Sequence, residues 1–384
     1  MKRKSSSIEI KRGNRNRVFR FINKNDKTSI PDIAGTLGMS VPTALQMVNE
    51  LKASRLVEEV GEFESTGGRK AKALASVKSA AHAVGIDITG NHIGMVLTDL
   101  SKEVLYHTRV RMVFCNEVDY FKEISKMLSE FLLECGLTGE TVTGIGFSLP
   151  AIVDSSRSHI AFSHALKMRD QPLKPYLLHI PYPSVVLNDA NAAALTECIH
   201  TEVPKNLVYL SLSNTVGGAL VVGENKEENG EEGPGVFIGD NWRSGEFGHM
   251  VIHPEGLKCY CGKQGCLDAY CSASVLSGHT DGDLGLFFTE LEHGNQEYEA
   301  IWGQYLENLA IAADTLRMCF DCDVVLGGYV GSYIKPYMER LRKIAAPKNI
   351  FGNTAEYLKG CCYPIESSAL GAAIYQIEKY MENI

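Results

Sequence analysis

Apolar residues recur at helical spacing in the first part of the chain and at strand spacing further on, and this change divides the sequence. Between residues 29 and 51, Ile33, Ala34 and Leu37 line one face of a short helix that Ser29 can cap and Pro31 can begin. Gly38 ends it. Ser40 is placed to cap a second helix, with Ala44, Val48 and Leu51 facing inward and Thr43, Gln46 and Met47 facing outward. Helix, glycine-containing turn, helix is the helix-turn-helix arrangement, whose second helix enters the major groove of DNA. The amphipathic run Val18-Phe19-Arg20-Phe21-Ile22 supplies a third helix, and LVEEVGEFESTGGRKAKALASV, 56–77, reads as a two-stranded wing. In that wing Gly67-Gly68 would let the backbone press close to DNA while Arg69 enters a minor groove. The residues expected to contact DNA are therefore Ser40, Pro42, Thr43, Gln46, Arg69 and Lys70. A small helical bundle that binds protein remains the alternative reading of this segment.

After about residue 80 strands and helices alternate. AVGIDI, HIGMVLTDL and VLYHTRVRM read as consecutive strands, and a helix follows with Phe121, Ile124, Leu128 and Phe131 on one face. Strands VTGIGFSL and SVVLND and helix ANAAALTECIH complete a first lobe. A second begins with strand LVYLSLS and its hairpin partner ALVVG, and the chain closes on helix SSALGAAIYQIEKY. The fold expected is α/β: a winged helix-turn-helix over 1–80, a first lobe over 81–200 joined by the C-terminal helix 366–384, and a second lobe over 201–365. A cleft between two such lobes is the usual place for a small ligand.

Charge follows the same boundary. Residues 1–80 carry 16 Lys+Arg against 8 Asp+Glu, leaving 22 against 38 for the remaining 304, so the net charge of −8 hides a basic head on an acidic body. That balance suits a nucleic-acid partner for the head alone. Four glutamates, Glu58, Glu59, Glu62 and Glu64, make the wing acidic, which leaves phosphate contacts to the N-terminal basic segment and the 69–72 stretch. The basic start MKRKSSS is not followed by an apolar signal-type stretch, so the eleven cysteines are expected as free thiols in a reducing cytoplasm. Runs such as TVTGIGFSLPAIV are too short for a membrane span.

The cysteines are not evenly spread. Cys259-x-Cys261-Gly-x-x-Gly-Cys266 puts three sulfurs on one tight loop, and His249 lies ten residues upstream. A Cys₃His set completes a zinc tetrahedron with no open position, so the metal expected here is structural Zn²⁺. Cys319-Phe-Asp-Cys322 and Cys361-Cys362 are assigned to packing.

Gly248-His249, six residues, Gly256, two residues and then CxCGxxGC resembles the signature of the ROK family, which contains bacterial repressors and sugar kinases. The resemblance extends to GIDITGN at 85–91, GIGFSLPAIVD at 144–154, LNDANAAAL at 187–195, GEFGH at 245–249 and VLGG at 325–328. It implies an actin-like, hexokinase-like pair of lobes. It also implies that Asp189 stands where the family's kinases hold the base that takes a proton from the sugar hydroxyl. Asn188, Glu246, His249 and Asp268 stand where sugar hydroxyls are held, Asp268 replacing the usual Glu. Such carboxylates and amides suit hydroxyl recognition on chemical grounds as well. A zinc-bound histidine, moreover, keeps one ring nitrogen for a hydroxyl.

The phosphate loops depart from the pattern. Where the family's kinases resemble D-x-G-G-T-K, this chain has Asp87-Ile88-Thr89-Gly90-Asn91-His92, and the second loop reads Ser213-Asn214-Thr215-Val216-Gly217-Gly218-Ala219. Side chains in place of glycine block backbone N–H groups from an anion, which argues against ATP and Mg²⁺ as ligands. Two readings follow. The first is a sugar-responsive transcriptional regulator, a repressor, that takes operator DNA and a monosaccharide effector and works as a homodimer or homotetramer. The second is an ATP-dependent sugar kinase carrying an appended head, in which Asp189 remains the base.

Overall fold

The computed structural model describes residues 7–64, 70–154, 159–199, 205–223 and 235–384, with side chains from residue 10 onward. Arg69, expected at the tip of the wing, lies outside the described residues.

Three helices open the chain: α1 (Ser7–Lys24), α2 (Ile30–Leu37) and α3 (Val41–Ala53). Ser29 caps α2 by accepting from the Asp32 N–H at 3.3 Å, and Gly38 ends it in the left-handed conformation at φ 62°. Ser40 caps α3 in the same way through the Thr43 N–H at 3.2 Å. One expectation fails on α3: Met47 is buried, with Ala44, Val48 and Leu51. A helix wedged against two neighbours needs an apolar stripe wider than a single row, and positions 44, 47, 48 and 51 supply it. The antiparallel pair β1 (Val57–Glu62) and β2 (Lys72–Ser76) follows, with a bulge between Glu59 and Gly61.

The first sheet has the order β10-β6-β3-β4-β5. Strands β3 (His82–Ile88), β4 (His92–Asp99) and β5 (Tyr106–Arg111) are antiparallel, helix α4 (Val118–Glu134) crosses over, and β6 (Val142–Leu149) pairs parallel with β3. A small three-stranded sheet interrupts the lobe, β7 (Ile152–Asp154), β8 (His159–Ser163) and β9 (Met168–Pro172), followed by the short α5 (Lys174–Leu177). Strand β10 (Ser184–Asn188) and helix α6 (Asp189–Thr196) end it.

The second sheet repeats this plan as β13-β12-β11-β14-β15. Strands β11 (Leu207–Leu212), β12 (Val216–Val222) and β13 (Gly235–Phe237) are antiparallel. After helices α7 (Asp268–Cys271), α8 (Ala273–Ser277), α9 (Leu284–Glu292) and α10 (Gln296–Phe320), strand β14 (Asp323–Gly327) runs parallel to β11. Helices α11 (Gly328–Ile334) and α12 (Met338–Ala345) lead to β15 (Leu358–Gly360), parallel to β14. Each lobe is thus three antiparallel strands extended by two parallel ones.

The last helix, α13 (Ser367–Glu382), returns to the first lobe and lies backbone to backbone on it. A Cβ on Gly371 would come within 1.7 Å of the Ala192 carbonyl oxygen, and one on Gly85 within 1.7 Å of the Ala369 carbonyl oxygen. The far side of α13 joins the head. Ala373, Ile377, Met381 and Ile384 pack in one buried cluster with Val18, Phe19 and Ile22 of α1 and with Ile33, Val48 and Leu51. The head therefore shares its core with the body.

Candidate functional site

Turns within a short stretch bring the metal-type residues together. A short 3-10 turn over Phe247–His249 presents the imidazole, and the loop after it is closed by Cys259 N–H donating to the Lys263 carbonyl at 2.9 Å. Gly265 takes φ 78°, and any side chain there would strike the His253 carbonyl at 1.7 Å, so the cysteine loop requires glycine at this point. The donor atoms of His249, Cys259, Cys261 and Cys266 all lie within 4.8 Å of one another. Cys261 Sγ and Cys266 Sγ are 3.7 Å apart, and Cys259 Sγ is 3.7 Å from His249 Nδ1. A tetrahedron of ~2.3 Å zinc–sulfur bonds has edges of about 3.8 Å, so this donor set fits a zinc ion. His249 Nε2, the other ring nitrogen, lies 3.4 Å from the Tyr260 hydroxyl and 4.0 Å from Glu246 Oε2.

Several of the residues expected to bind sugar lie near this site: Glu246 is 4.0 Å from His249 and close enough to Asp189 for its charge to act on it. Asn188 caps α6 by accepting from the Asn191 N–H at 2.9 Å, and its amide donates to the Ala151 carbonyl at 3.2 Å. Much of its polar capacity is therefore engaged in shaping the turn that presents Asp189. Asp189 is half-buried and accepts from the Ala190 N–H at 2.9 Å. Burial, and after it the nearby Asp87 carboxylate, pushes Asp189 up to about 7. Asp87 rises to about 6, chiefly through burial, although the Ser148 hydroxyl donates to it. Burial also raises Glu246, against the pull of Arg243. Asp189 and Asp87, so raised, can both donate to and accept from sugar hydroxyls. Asp268 is buried, and one of its oxygens accepts from the Val216 N–H at 2.5 Å, so it also fixes the turn into β12.

Two residues near these were not anticipated. His164, on the turn between β8 and β9, stacks on Tyr260 with ring centroids 4.1 Å apart, joining the first lobe to the cysteine loop. Tyr260 in turn meets the His249 ring edge-on at 5.3 Å. His164 lies in no motif and Tyr260 fills an unspecified position of the cysteine motif, and their proximity depends on a small sheet that residue periodicity does not reveal.

Arg109 of β5 donates to Glu366 Oε1 at 2.7 Å and to the Tyr329 hydroxyl at 2.9 Å, its guanidinium lying over the Tyr329 ring. Tyr329 directly follows Gly327-Gly328, and Gly328 lies against Leu212 and Ser213, so this bridge ties the two lobes beside the turn between β11 and β12.

In the head, Ser40, Pro42, Gln46 and Lys70 are exposed and Thr43 is half-buried. Several polar residues of α1 meet the end of α13, while Lys2, Arg3 and Lys4 lie outside the described residues. Arg12 donates to the Glu382 carbonyl at 3.2 Å, Arg15 to that of Ile384, and Asn16 to that of Met381, while Arg20 pairs with Glu378 at 2.7 Å. Carbonyls at a helix C-terminus carry partial negative charge, and a row of guanidinium groups meets it here. The wing's acidity is also partly neutralised, because Glu59 pairs with Lys52 and Lys72.

The pattern family described as "ROK family" matches residues 83–377, most of the chain. The chain belongs to the ROK family. The xylose repressor of Bacillus subtilis is 28% identical over 271 residues, 70% of this chain and 67% of that protein. The crystal structure of a ROK family transcriptional regulator, described as a homolog of the E. coli MLC protein, superposes with TM-score 0.75 at 20% identity and covers 97% of each chain. The ROK hexokinase of Thermus thermophilus superposes with TM-score 0.61 at 25% identity, covering 78% of this chain and 99% of its own. The kinase fold thus matches the body of this ROK protein, and the regulator's matches nearly the whole chain. Among the described residues no helix is long and apolar enough to cross a membrane.

Proposed function

We propose that this ROK protein is a sugar-responsive transcriptional regulator, a repressor, that binds operator DNA through its head and a monosaccharide in the cleft. The reading rests on α13. Its first turn follows Glu366, which holds Arg109 at the edge of the cleft, and its last turn is clasped by Arg12, Arg15, Asn16 and Arg20 of the head. A movement of the lobes on sugar binding would reach the head through one buried helix.

In this reading the head is a winged helix-turn-helix, with β1 and β2 as the wing and Ser40, Pro42, Thr43, Gln46, Arg69 and Lys70 facing DNA. Asn188, Asp189, Glu246, His249 and Asp268 hold sugar hydroxyls. His249, Cys259, Cys261 and Cys266 would hold Zn²⁺, whose role is to fix the histidine ring and the loop. Two copies present two heads to paired half-sites. The sugar acts only so far as it binds the open and closed lobes with different affinity.

Retention of Asp189 near neutrality favours the kinase as a second reading, since a base works best near the operating pH. The substituted phosphate loops and the Arg109–Tyr329 bridge weigh against it. Melting temperature measured against a panel of monosaccharides and, separately, against MgATP distinguishes the two. A ligand at about 100 times its Kd adds about 2.7 kcal/mol. A shift with a sugar alone supports the regulator, and a shift with MgATP that sugar enhances supports the kinase.

A further inference from the structure

The face that α3 turns to solvent has an unusual composition for a helix meant to read DNA. Val41, Pro42, Leu45, Gln46, Asn49 and Ala53 are exposed along it, and five of these line a shallow hollow of about 430 Å³ with Glu50. Guanine is read in the major groove by two donors at once, the task of Arg or Lys. Within α3 the sole such residue is Lys52, half-buried and paired with Glu59. Cytosine is read by an acceptor such as a carboxylate. The carboxylate of this face, Glu50, is already engaged by Lys11 at 2.7 Å and by the Gln46 amide at 3.1 Å. Those bonds hold Glu50 below the ordinary carboxylate range.

What remains is amide and hydrocarbon. The bond from Gln46 Nε2 to Glu50 uses one amide hydrogen and sets the side chain's direction. Its second hydrogen and its carbonyl remain for another partner, and that is the donor–acceptor pair that matches adenine N7 and N6. Asn49, one turn on from Leu45, offers the same pair. Val41 and Leu45, 52% and 44% exposed, stand beside these amides and match the thymine methyl, which projects into the same groove. We propose that α3 reads A·T base pairs: Gln46 and Asn49 on adenines, Val41 and Leu45 on thymine methyls, so that the operator half-site beneath α3 is rich in A·T. This rests on the reading of the head as a DNA-binding unit.

The test is selection of duplexes from a randomised pool by the full-length protein at low salt, followed by fluorescence anisotropy on the selected sites. The same selection is then run with Gln46→Arg, its folding checked by circular dichroism, and with Asn49→Ala. The expected result is A·T pairs at the selected half-site positions, with about a tenfold loss of affinity for each pair changed to G·C. Gln46→Arg is expected to move one of those positions from A to G, and Asn49→Ala to relax another. Selected half-sites with G·C at these positions would overturn the inference while the DNA-binding reading stood. So would a selected sequence that neither variant changes. Absence of binding to any duplex would overturn the DNA-binding reading and this inference with it.

Discussion

Asp189 shows how much one side chain's surroundings can decide. Its carboxyl sits beside Asp87 in a buried setting, and both titrate well above the ordinary carboxylate range, at about 7 and about 6. A carboxyl raised on folding favours the folded state only while protonated, so stability is lost as pH climbs from about 4, the unfolded value, to about 7. Replacing Asp189 by Asn removes its share of that loss. Urea unfolding should find the variant more stable by about 1–2 kcal/mol at pH 7.5, with the gap closing near pH 4. Parallel profiles for the two proteins would mean that Asp189 carries no such burden. The same substitution should weaken the sugar-induced melting shift and leave DNA affinity nearly intact; equal loss of both would refute the separation of cleft and head. At the cysteine loop, Cys261→Ser should reduce bound zinc, measured by elemental analysis, and lower the melting temperature together, because metal affinity and folding are linked. This loop was legible in the sequence because all four donors lie within 18 residues and glycines mark the turns. The Arg109 bridge was not, since its partners lie 220 and 257 residues away. No local pattern records such a pairing.

Elements were legible where local signals agreed and obscure where packing alone defined them. Helices α2 and α3 announce themselves through Ser29, Gly38 and Ser40, and the structure uses each of them as a cap. Met47 turns inward because packing against two neighbours needs a stripe one row wider than the apolar spacing predicts. Strands β7, β8 and β9 are three to five residues long with little alternation, so the sequence carries no strand signal there. The duplicated strand order of the two lobes is likewise a property of pairing, invisible in residues that do not repeat. Helix α13 allows a direct check of backbone packing. Gly371→Ala would force a methyl against the Ala192 carbonyl, and a cost of about 2–3 kcal/mol is expected in chemical denaturation. Gly13 is the control: it lies within α1 with nothing inside 4 Å of a would-be Cβ. Gly13→Ala should instead add about 0.5–1 kcal/mol by raising helix propensity. If the two substitutions cost the same, close packing of α13 is not what selects glycine at 371.

At the scale of the whole molecule the question is how a cleft and a head separated by a lobe can influence one another. The shared core of α1 and α13 makes independent motion of the head costly, since Phe19, Ile22, Ile377 and Met381 would all be exposed. Polar contacts set the angle of that joint. Burial would raise the Glu378 carboxyl, but Lys102 of the body and Arg20 of the head together hold it below the usual range, so one carboxylate joins both units. Loosening the joint should therefore affect communication more than either site. In a variant with Arg12, Arg15, Asn16 and Arg20 all replaced by Ala, the apolar contacts remain and the clasp on α13 is lost. Anisotropy titrations with operator DNA, with and without the sugar found by the melting screen, should show nearly unchanged affinity in its absence. The sugar-dependent change should shrink by about fivefold or more, the low end of an ordinary coupling free energy. If the change keeps its full size, α13 does not carry the signal. The route would then run through β2 and the short turn over Lys78–Ala80 that leads into β3, which leaves those arginines untouched.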